Sequence, residues 1–353
     1  MNQTITINGQ SIGKSHKPYV IAELSANHNG SPENALRSLE VFKACGADAV
    51  KIQSYTADTM TIESDRPEFK IHGGLWGGYT LYQLYQEAHT PFEWHQALFD
   101  KAAELELTLF SSPFDESAVD LLESLNAPAY KVASFEATDL PLIAYIAKTG
   151  KPMIISTGMA NLKEIEEAVT CARENGCNEL VLLHCISAYP APVEQANLAT
   201  IQDLATRFNC VVGLSDHTLG TAVATTSVAL GAAVIEKHVT LDRNEPGPDS
   251  AFSLEPAELT DLCEQTRQAW LAVGQVDYTR KESEKANLQF RRSVYFVKAL
   301  KAGERIRQEH IRRIRPGLGL EPKYFNELVG RKVKQTIEAG TPCAWEQLEP
   351  IEK

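Results

Sequence analysis

Eight short apolar runs recur along the first three quarters of the chain, at 19–24, 49–53, 107–111, 129–133, 152–156, 180–184, 210–214 and 232–236. Each is bounded by turn residues and rich in β-branched side chains, as strands buried on both faces of a parallel sheet are. Longer helix-like stretches separate them, among them 32–45, 91–104, 116–125, 162–175, 219–230 and 256–273. Several open on a cap signal, Ser31 before Pro32 and Asp115 before Glu116. Eight strand–helix units within about 270 residues fit a closed (β/α)8 barrel better than an open doubly wound sheet. No G-x-G-x-x-G follows the first run, which weakens a dinucleotide-binding reading. The predicted fold is therefore α/β: a TIM barrel over residues 1–284, with a charged linker near 275–290, then a small β-rich domain over 285–353. That tail carries strand-like pieces at 293–297 and 331–337.

Charge divides the chain the same way. From Lys285 onward there are 15 basic and 8 acidic residues; the chain as a whole has 34 and 46, for a net charge of -12. The body thus keeps 19 basic against 38 acidic residues. An acidic body argues against nucleic acid as a partner. No apolar run approaches 18 residues and residues 1–17 lack an apolar leader core, so a cytoplasmic protein with no membrane partner is expected. Seven scattered cysteines with no C-x-x-C pair exclude a disulfide framework and a cysteine zinc site.

In such a barrel, chemistry belongs at the C-terminal strand ends, and all eight ends here are polar. Lys51 and Lys131 stand inside otherwise apolar strands. A buried lysine needs a counter-charge. An internal carboxylate, Glu23 or Glu136, would serve; so would a small anionic substrate held with the Ser and Thr hydroxyls nearby. A Schiff-base lysine is a third possibility. His217 and His238 close neighbouring strands. They could share one divalent metal with open positions, or simply hydrogen-bond in the core. His184 ends a strand beside Cys185 and reads as packing. His28, in ANHNG, reads equally as turn or function. The second crossover holds an insertion over 54–90, of the kind that furnishes active sites. Its Trp76, Tyr79, Tyr82 and Tyr85, at near-helical spacing, read either as a helix packed on the barrel mouth or as a wall for a deoxy part of a sugar.

The segments IAELSANHNGS, DAVKIQSY, YKVASFEATD, KPMIISTGMA, LLHCISAYPAP, VGLSDHTLG and AAVIEKHVTLDR resemble the sialic acid (nonulosonate) synthase family. The tail, with RRSVYFVKALKAGERI, IRRIRPGLGL and LVGRKV, resembles the antifreeze-like (SAF) domain that ends those enzymes. Within the family, GLWGGYTLYQLYQEAHTPFEW and SFEATDLPLI are most similar to its pseudaminic acid synthase branch. The resemblance covers nearly the whole chain. It implies condensation of phosphoenolpyruvate with an amino-sugar aldehyde, extending the sugar by three carbons and releasing phosphate. It also implies a divalent metal, manganese first and magnesium or cobalt next. Carried over by motif, Lys51, Gln53, Ser112, Lys131, Ser134, Ser156, Ser187 and Ser215 hold phosphoenolpyruvate, and Tyr189 and Asp249 touch the acceptor. Glu136 joins the substrate-binding set. His217 and His238 match the metal ligands, and Glu23 the catalytic carboxylate. Arg315 matches an arginine that the terminal domain of one subunit inserts into its partner's site, which implies a domain-swapped homodimer. Two positions depart from the common pattern: Ser187 stands where N-acetylneuraminate synthases carry Asn, and Ser250 where sialic acid synthases commonly have His.

Overall fold

The computed structural model describes residues 4–350. Two strands precede the barrel, β1 (Thr4–Ile7) and β2 (Gln10–Gly13), paired antiparallel. Asn8 and Gly9 join them, both at positive φ (48° and 80°), the backbone that a two-residue hairpin turn demands. Its alternating TITI-NG-QSIG pattern is a hairpin signal in its own right.

Each of the eight apolar runs supplies one barrel strand: β3 (Tyr19–Glu23), β4 (Ala49–Ser54), β5 (Thr108–Pro113), β6 (Tyr130–Val132), β7 (Met153–Ser156), β8 (Leu180–Cys185), β9 (Val211–Asp216) and β10 (Val234–His238). The strands follow chain order, and β10 closes the circle on β3, with His238 opposite Glu23. Helices α1 (Pro32–Ala44), α2 (Ala57–Met60), α3 (Leu81–Ala88), α4 (His95–Glu104), α5 (Glu116–Ser124), α6 (Leu140–Ala147), α7 (Leu162–Glu174), α8 (Thr200–Phe208), α9 (Ala222–Ala229) and α10 (Pro256–Val273) follow in chain order. Ser31 Oγ accepts from Asn34 N at 3.1 Å, and Asp115 caps α5 by accepting from Ser117 N and Ala118 N, each satisfying first-turn amides that have no partner within the helix.

Several elements differ from expectation. The stretch 91–104 opens as a 3₁₀ turn, Phe92–Trp94, before α4. The stretch 219–230 yields only α9, because Gly220 takes φ 70° and breaks the helical path ahead of it. Helix α6 (LPLIAYIA) is apolar nearly all round and so gives no amphipathic signal. The insertion is pinned at its base, where Ser54 Oγ meets His95 Nε2 and Ser111 Oγ, each at 2.6 Å.

Contacts divide the chain at Gly274 and Gln275. The second unit holds α11 (Glu282–Lys285), β11 (Ser293–Phe296), β12 (Ile311–Ile314) and α12 (Phe325–Leu328), with β11 antiparallel to β12. Val294, Phe296, Leu300, Ile306, Ile311 and Leu328 anchor its own core. The strand expected over 331–337 does not form; the segment makes isolated bridges, Lys332 to Arg305, Val333 to Leu348 and Ile337 to Leu300. Its buried positions, Val333 and Ile337, are separated by three exposed residues rather than one, so the two-residue burial period of a half-buried strand is missing. Among the described residues no helix is long and apolar enough to cross a membrane.

Candidate active site at the mouth of the barrel

Strand alternation sends every second side chain into the bore, and the series changes character along each strand. On β3 it runs Tyr19, Ile21, Glu23; on β4 Ala49, Lys51, Gln53; on β10 Val234, Glu236, His238. At the C-terminal end four buried charges meet. Lys51 Nζ lies 2.9 Å from Glu23 Oε2 and 3.5 Å from Glu236 Oε1, and donates to Ser112 Oγ at 3.2 Å. Lys131 Nζ lies 3.6 Å from Glu236 Oε1 and donates to the Val132 carbonyl at 3.3 Å. Ser215 Oγ donates to Glu236 Oε1 at 3.3 Å. Gln53 Nε2 donates to Glu23 Oε1 at 3.0 Å and to Ser25 Oγ at 2.9 Å.

The internal carboxylate for the lysines therefore exists, but it is Glu236 together with Glu23. Glu136 forms no ion pair with either lysine among the described residues. Burial raises its carboxyl to about 7 against the pull of Lys131. Glu236 was visible in the sequence only as one more polar strand end. Its role as hub depends on the barrel closing.

Burial opposes ionisation throughout this cluster. At Lys51 the two glutamates outweigh it and hold the ammonium above its ordinary range. At Lys131 burial prevails over the more distant Glu236, and the pKa falls. Burial raises Glu23 despite Lys51, whereas Lys131 and Lys51 overcome it at Glu236 and keep that carboxylate low. The pairing thus favours the charged forms of Glu236 and Lys51, while burial disfavours those of Glu23 and Lys131.

Hydroxyls line the side of the mouth beyond Lys131. Ser134 and Ser187 converge over Gly158, where an added Cβ would lie 2.8 Å and 2.2 Å from their oxygens. Only glycine leaves that space open. Ser156 Oγ is buried without a hydrogen-bond partner. An underpaired lysine beside such hydroxyls, on the adjoining ends of β6, β7 and β8, suits an anion.

His217 follows β9 and His238 ends β10, with ring centroids 5.4 Å apart. His217 Nδ1 lies 3.0 Å from the Ile186 carbonyl; with that nitrogen as the donor, its other ring nitrogen is free. His238 Nδ1 has no hydrogen-bond partner, and Asp249 Oδ2 stands 3.6 Å away. Burial, reinforced by His217, holds the His238 pKa well below its usual value, so the ring is neutral. Asp249 is raised by burial against hydrogen bonds from Ser25 and Ala26. Two imidazoles with unspent nitrogens fit a divalent cation that keeps open positions. No cluster of three or more His, Cys, Asp or Glu offers a closed cage among the described residues.

Other groups near the histidines carried no assigned role in the sequence. Cys185 Sγ lies 3.8 Å from His217 Nδ1. Lys237 Nζ, buried on the outer side of β10, meets Asp216 Oδ2 at 2.7 Å. Asp216 Oδ1 accepts from Thr218 N at 3.0 Å and Thr218 Oγ1 at 2.8 Å, so the chain on both sides of His217 is fixed. The sequence signal for Lys237 was the same as for Lys51, a lysine within an apolar strand.

The Tyr189 ring packs 4.4 Å from His217 and 5.6 Å from Trp76. Of the four insertion aromatics, Trp76 is the one that packs on Tyr189. Tyr79 and Tyr82 donate to Glu87 and Asp58 on the insertion itself, and Tyr85 packs edge-on against Tyr55. Because α3 starts at Leu81, Trp76 and Tyr79 precede the helix rather than ride on it. The buried His28 ring lies edge-on to Trp94, and Nδ1 accepts from Gly30 N at 3.1 Å, while Nε2 has no hydrogen-bond partner. His184 Nε2 contacts the Ala196 carbonyl at 2.6 Å and is packing. Arg315 lies immediately after β12 in the second unit.

Comparison with known proteins gives two family matches: the NeuB family over residues 38–278 and the SAF domain over residues 291–349. A pseudaminic acid synthase of Helicobacter pylori is 42% identical over 334 residues, spanning 94% of this chain and 98% of its own length. Another, from Campylobacter jejuni, is 44% identical over 324 residues, spanning 92% and 94%. Among solved structures, the N-acetylneuraminic acid synthetase of Leptospira borgpetersenii in complex with citrate is similar with a TM-score of 0.73 at 29% identity, covering 82% of this chain and 96% of that one.

Proposed function

The chain belongs to the NeuB family, and from that premise we propose that it is a pseudaminic acid synthase, a transferase that joins phosphoenolpyruvate to 2,4-diacetamido-2,4,6-trideoxy-L-altrose and releases phosphate. The observation that carries this reading is the buried Lys51–Glu236–Lys131 cluster, with unspent serine hydroxyls on one side and two histidines on the other.

In this reading Lys51, Lys131, Ser112, Ser134, Ser156, Ser187 and Ser215 hold the carboxylate and phosphate of phosphoenolpyruvate, with Gln53. The Gln53 amide, donating to Glu23, also orients that carboxylate. His217 and His238 hold a divalent metal, manganese first, with magnesium or cobalt able to replace it. When bound, the ion polarises the acceptor's aldehyde oxygen. Tyr189 and Asp249 contact the acceptor, and Glu136 belongs to the substrate-binding set. The methylene carbon of phosphoenolpyruvate bonds to the aldehyde carbon, and a water oxygen joins C2. The bond from C2 to the bridging oxygen then breaks, so phosphate leaves with that oxygen. Glu23, whose pKa is raised by burial, moves the protons of water addition. The two lysines offset the anionic charge where water is scarce.

The assembly proposed with this function is a domain-swapped homodimer in which Arg315 of the partner subunit completes the site. Phe135, Met159, Val193 and Leu219, one beyond each of β6, β7, β8 and β9, are each more than half exposed. An apolar rim of this kind marks a docking surface. The basic tail and acidic body favour the association. A cytoplasmic location goes with the reading.

A phosphate-release assay with manganese and a panel of mono- and diacetamido hexoses tests it. Turnover is expected with the diacetamido-trideoxy sugar, and ¹⁸O in the bridging position should appear in phosphate. Turnover of N-acetylmannosamine alone would move the assignment to N-acetylneuraminate synthesis. Borohydride trapping of pyruvate on Lys51 or Lys131 would favour a lysine aldolase.

A further inference from the structure

We propose that Trp76 is the specificity-determining residue that reads the methyl end of a 6-deoxy acceptor; the inference rests on the functional reading above. Going round the closed barrel from β4, the next strands are β3, β10, β9 and β8. Trp76 belongs to the crossover that leaves β4. Its indole Nε1–H donates to the Pro248 carbonyl, in the loop after β10, at 2.8 Å. Its ring lies 5.6 Å from that of Tyr189, in the loop after β8. The side chain therefore spans the strand ends that carry the two histidines.

This placement is built into the loop. Trp76 sits in a Gly-Gly-Leu-Trp-Gly-Gly tip whose base is closed by Ile71 N to Tyr79 O at 2.9 Å and Gly78 N to Ile71 O at 3.1 Å. Gly73, Gly74 and Gly78 take φ of 80°, 72° and 102°. A Cβ at Gly77 would press on the Gly73 backbone at 3.1 Å. Residues with larger side chains would open this pinch and release the indole.

With its N–H spent on Pro248, the indole offers only hydrocarbon. From His217 the Tyr189 ring stands 4.4 Å away, and Trp76 lies one ring further out. An open-chain hexose with its aldehyde at the histidine pair is long enough to lay its last carbon against Trp76. Polar partners such as Asp249 stay near the aldehyde end, where Asp249 faces His238. A methyl group at the far end loses nothing there, whereas a hydroxyl loses water and gains no partner. Apolar surfaces of this kind separate near-isosteres by about 10–100-fold.

The test compares kcat/KM for the 2,4-diacetamido-2,4,6-trideoxy acceptor and its 6-hydroxy counterpart at saturating phosphoenolpyruvate, in the parent, Trp76→Ala and Trp76→Gln. Thermal melts and manganese binding by paramagnetic resonance report on the fold and the histidine pair. The parent is expected to favour the 6-deoxy sugar by about tenfold or more. Trp76→Ala should remove most of that preference, chiefly through acceptor KM, with KM for phosphoenolpyruvate unchanged. Trp76→Gln should lower the preference further, and it carries the test alone if the alanine variant does not fold. A preference that survives substitution in an enzyme active on the 6-deoxy sugar overturns this proposal alone. A parent that releases phosphate only with N-acetylmannosamine overturns the functional reading, and this proposal with it.

Discussion

The hairpin-plugged floor of the barrel and its open mouth are built from the same eight strands, with one step of alternation between them. At the floor, Ile5, Ile7 and Ile12 from the hairpin pack with Tyr19, Ile21, Ala49, Phe110, Ile154, Val181, Leu183 and Val234 in one buried apolar cluster. At the mouth the same inward series continues as Glu23, Lys51 and Glu236. The change from Ile21 to Glu23, from Ala49 to Lys51 and from Val234 to Glu236 takes two residues, about 7 Å of strand. The floor gains stability by removing apolar surface from water, roughly 1.5–3 kcal/mol for each large side chain. The mouth holds ionised groups out of water, which costs desolvation that the pairing of Lys51 and Lys131 with Glu23 and Glu236 has to offset. Stability and reactivity are thus separated along the strand axis, and a substitution at one end should leave the other largely intact.

Lys131→Met is the strongest challenge to that separation. It should cost about 10³-fold or more in kcat/KM for phosphoenolpyruvate while shifting the unfolding free energy by only about 1 kcal/mol, since Glu236 keeps Lys51 as a partner. A variant that unfolded early would make Lys131 a structural residue. Glu23→Gln should lower kcat by about 10²–10⁴-fold with metal binding retained; near-parent turnover would remove Glu23 from the proton transfers. Ile7→Ala tests the opposite end. It should cost roughly 2–4 kcal/mol by denaturant titration and leave kcat of the folded enzyme unchanged. Loss of kcat there would show that the floor and mouth are coupled.

The smallest effect sharpens the comparison through pH. Burial raises the Glu136 carboxyl to about 7 from 4.5. The folded protein therefore holds this proton after the unfolded chain has released it, so stability falls as pH rises from about 4.5 to about 7 and levels off above that. Glu136→Gln should abolish this contribution, on the order of 1–3 kcal/mol after allowance for partial exposure. Thermal midpoints at about pH 5 and pH 8 read it out, and equal slopes in parent and variant would contradict it.

Much of this was legible in the sequence because its signals are local. Short β-branched runs between turn residues gave all eight barrel strands, with Lys51 and Lys131 inside them and Glu23, His217 and His238 at or just past their ends. Asn8-Gly9 between alternating residues also held a local hairpin signal, although no hairpin was expected there. Helix α6 was not legible, since an element apolar on every side shows no period. The strand expected over 331–337 failed for the opposite reason: β-prone residues were present without a two-residue burial period.

The amino-acid sequence by itself determined the number of strands, their direction of polarity and the kinds of group at the mouth, because each depends on spacing over a few residues. Only the tertiary structure decided which groups meet. Glu236 became the counter-charge of Lys51 because β10 closes on β3, beside β4. Trp76 was separated from Tyr79, Tyr82 and Tyr85 because a pinched loop carries it to Pro248, a residue 172 positions away. Such pairings are fixed by the closure of the barrel and the paths of its loops, and no periodicity along the chain encodes them.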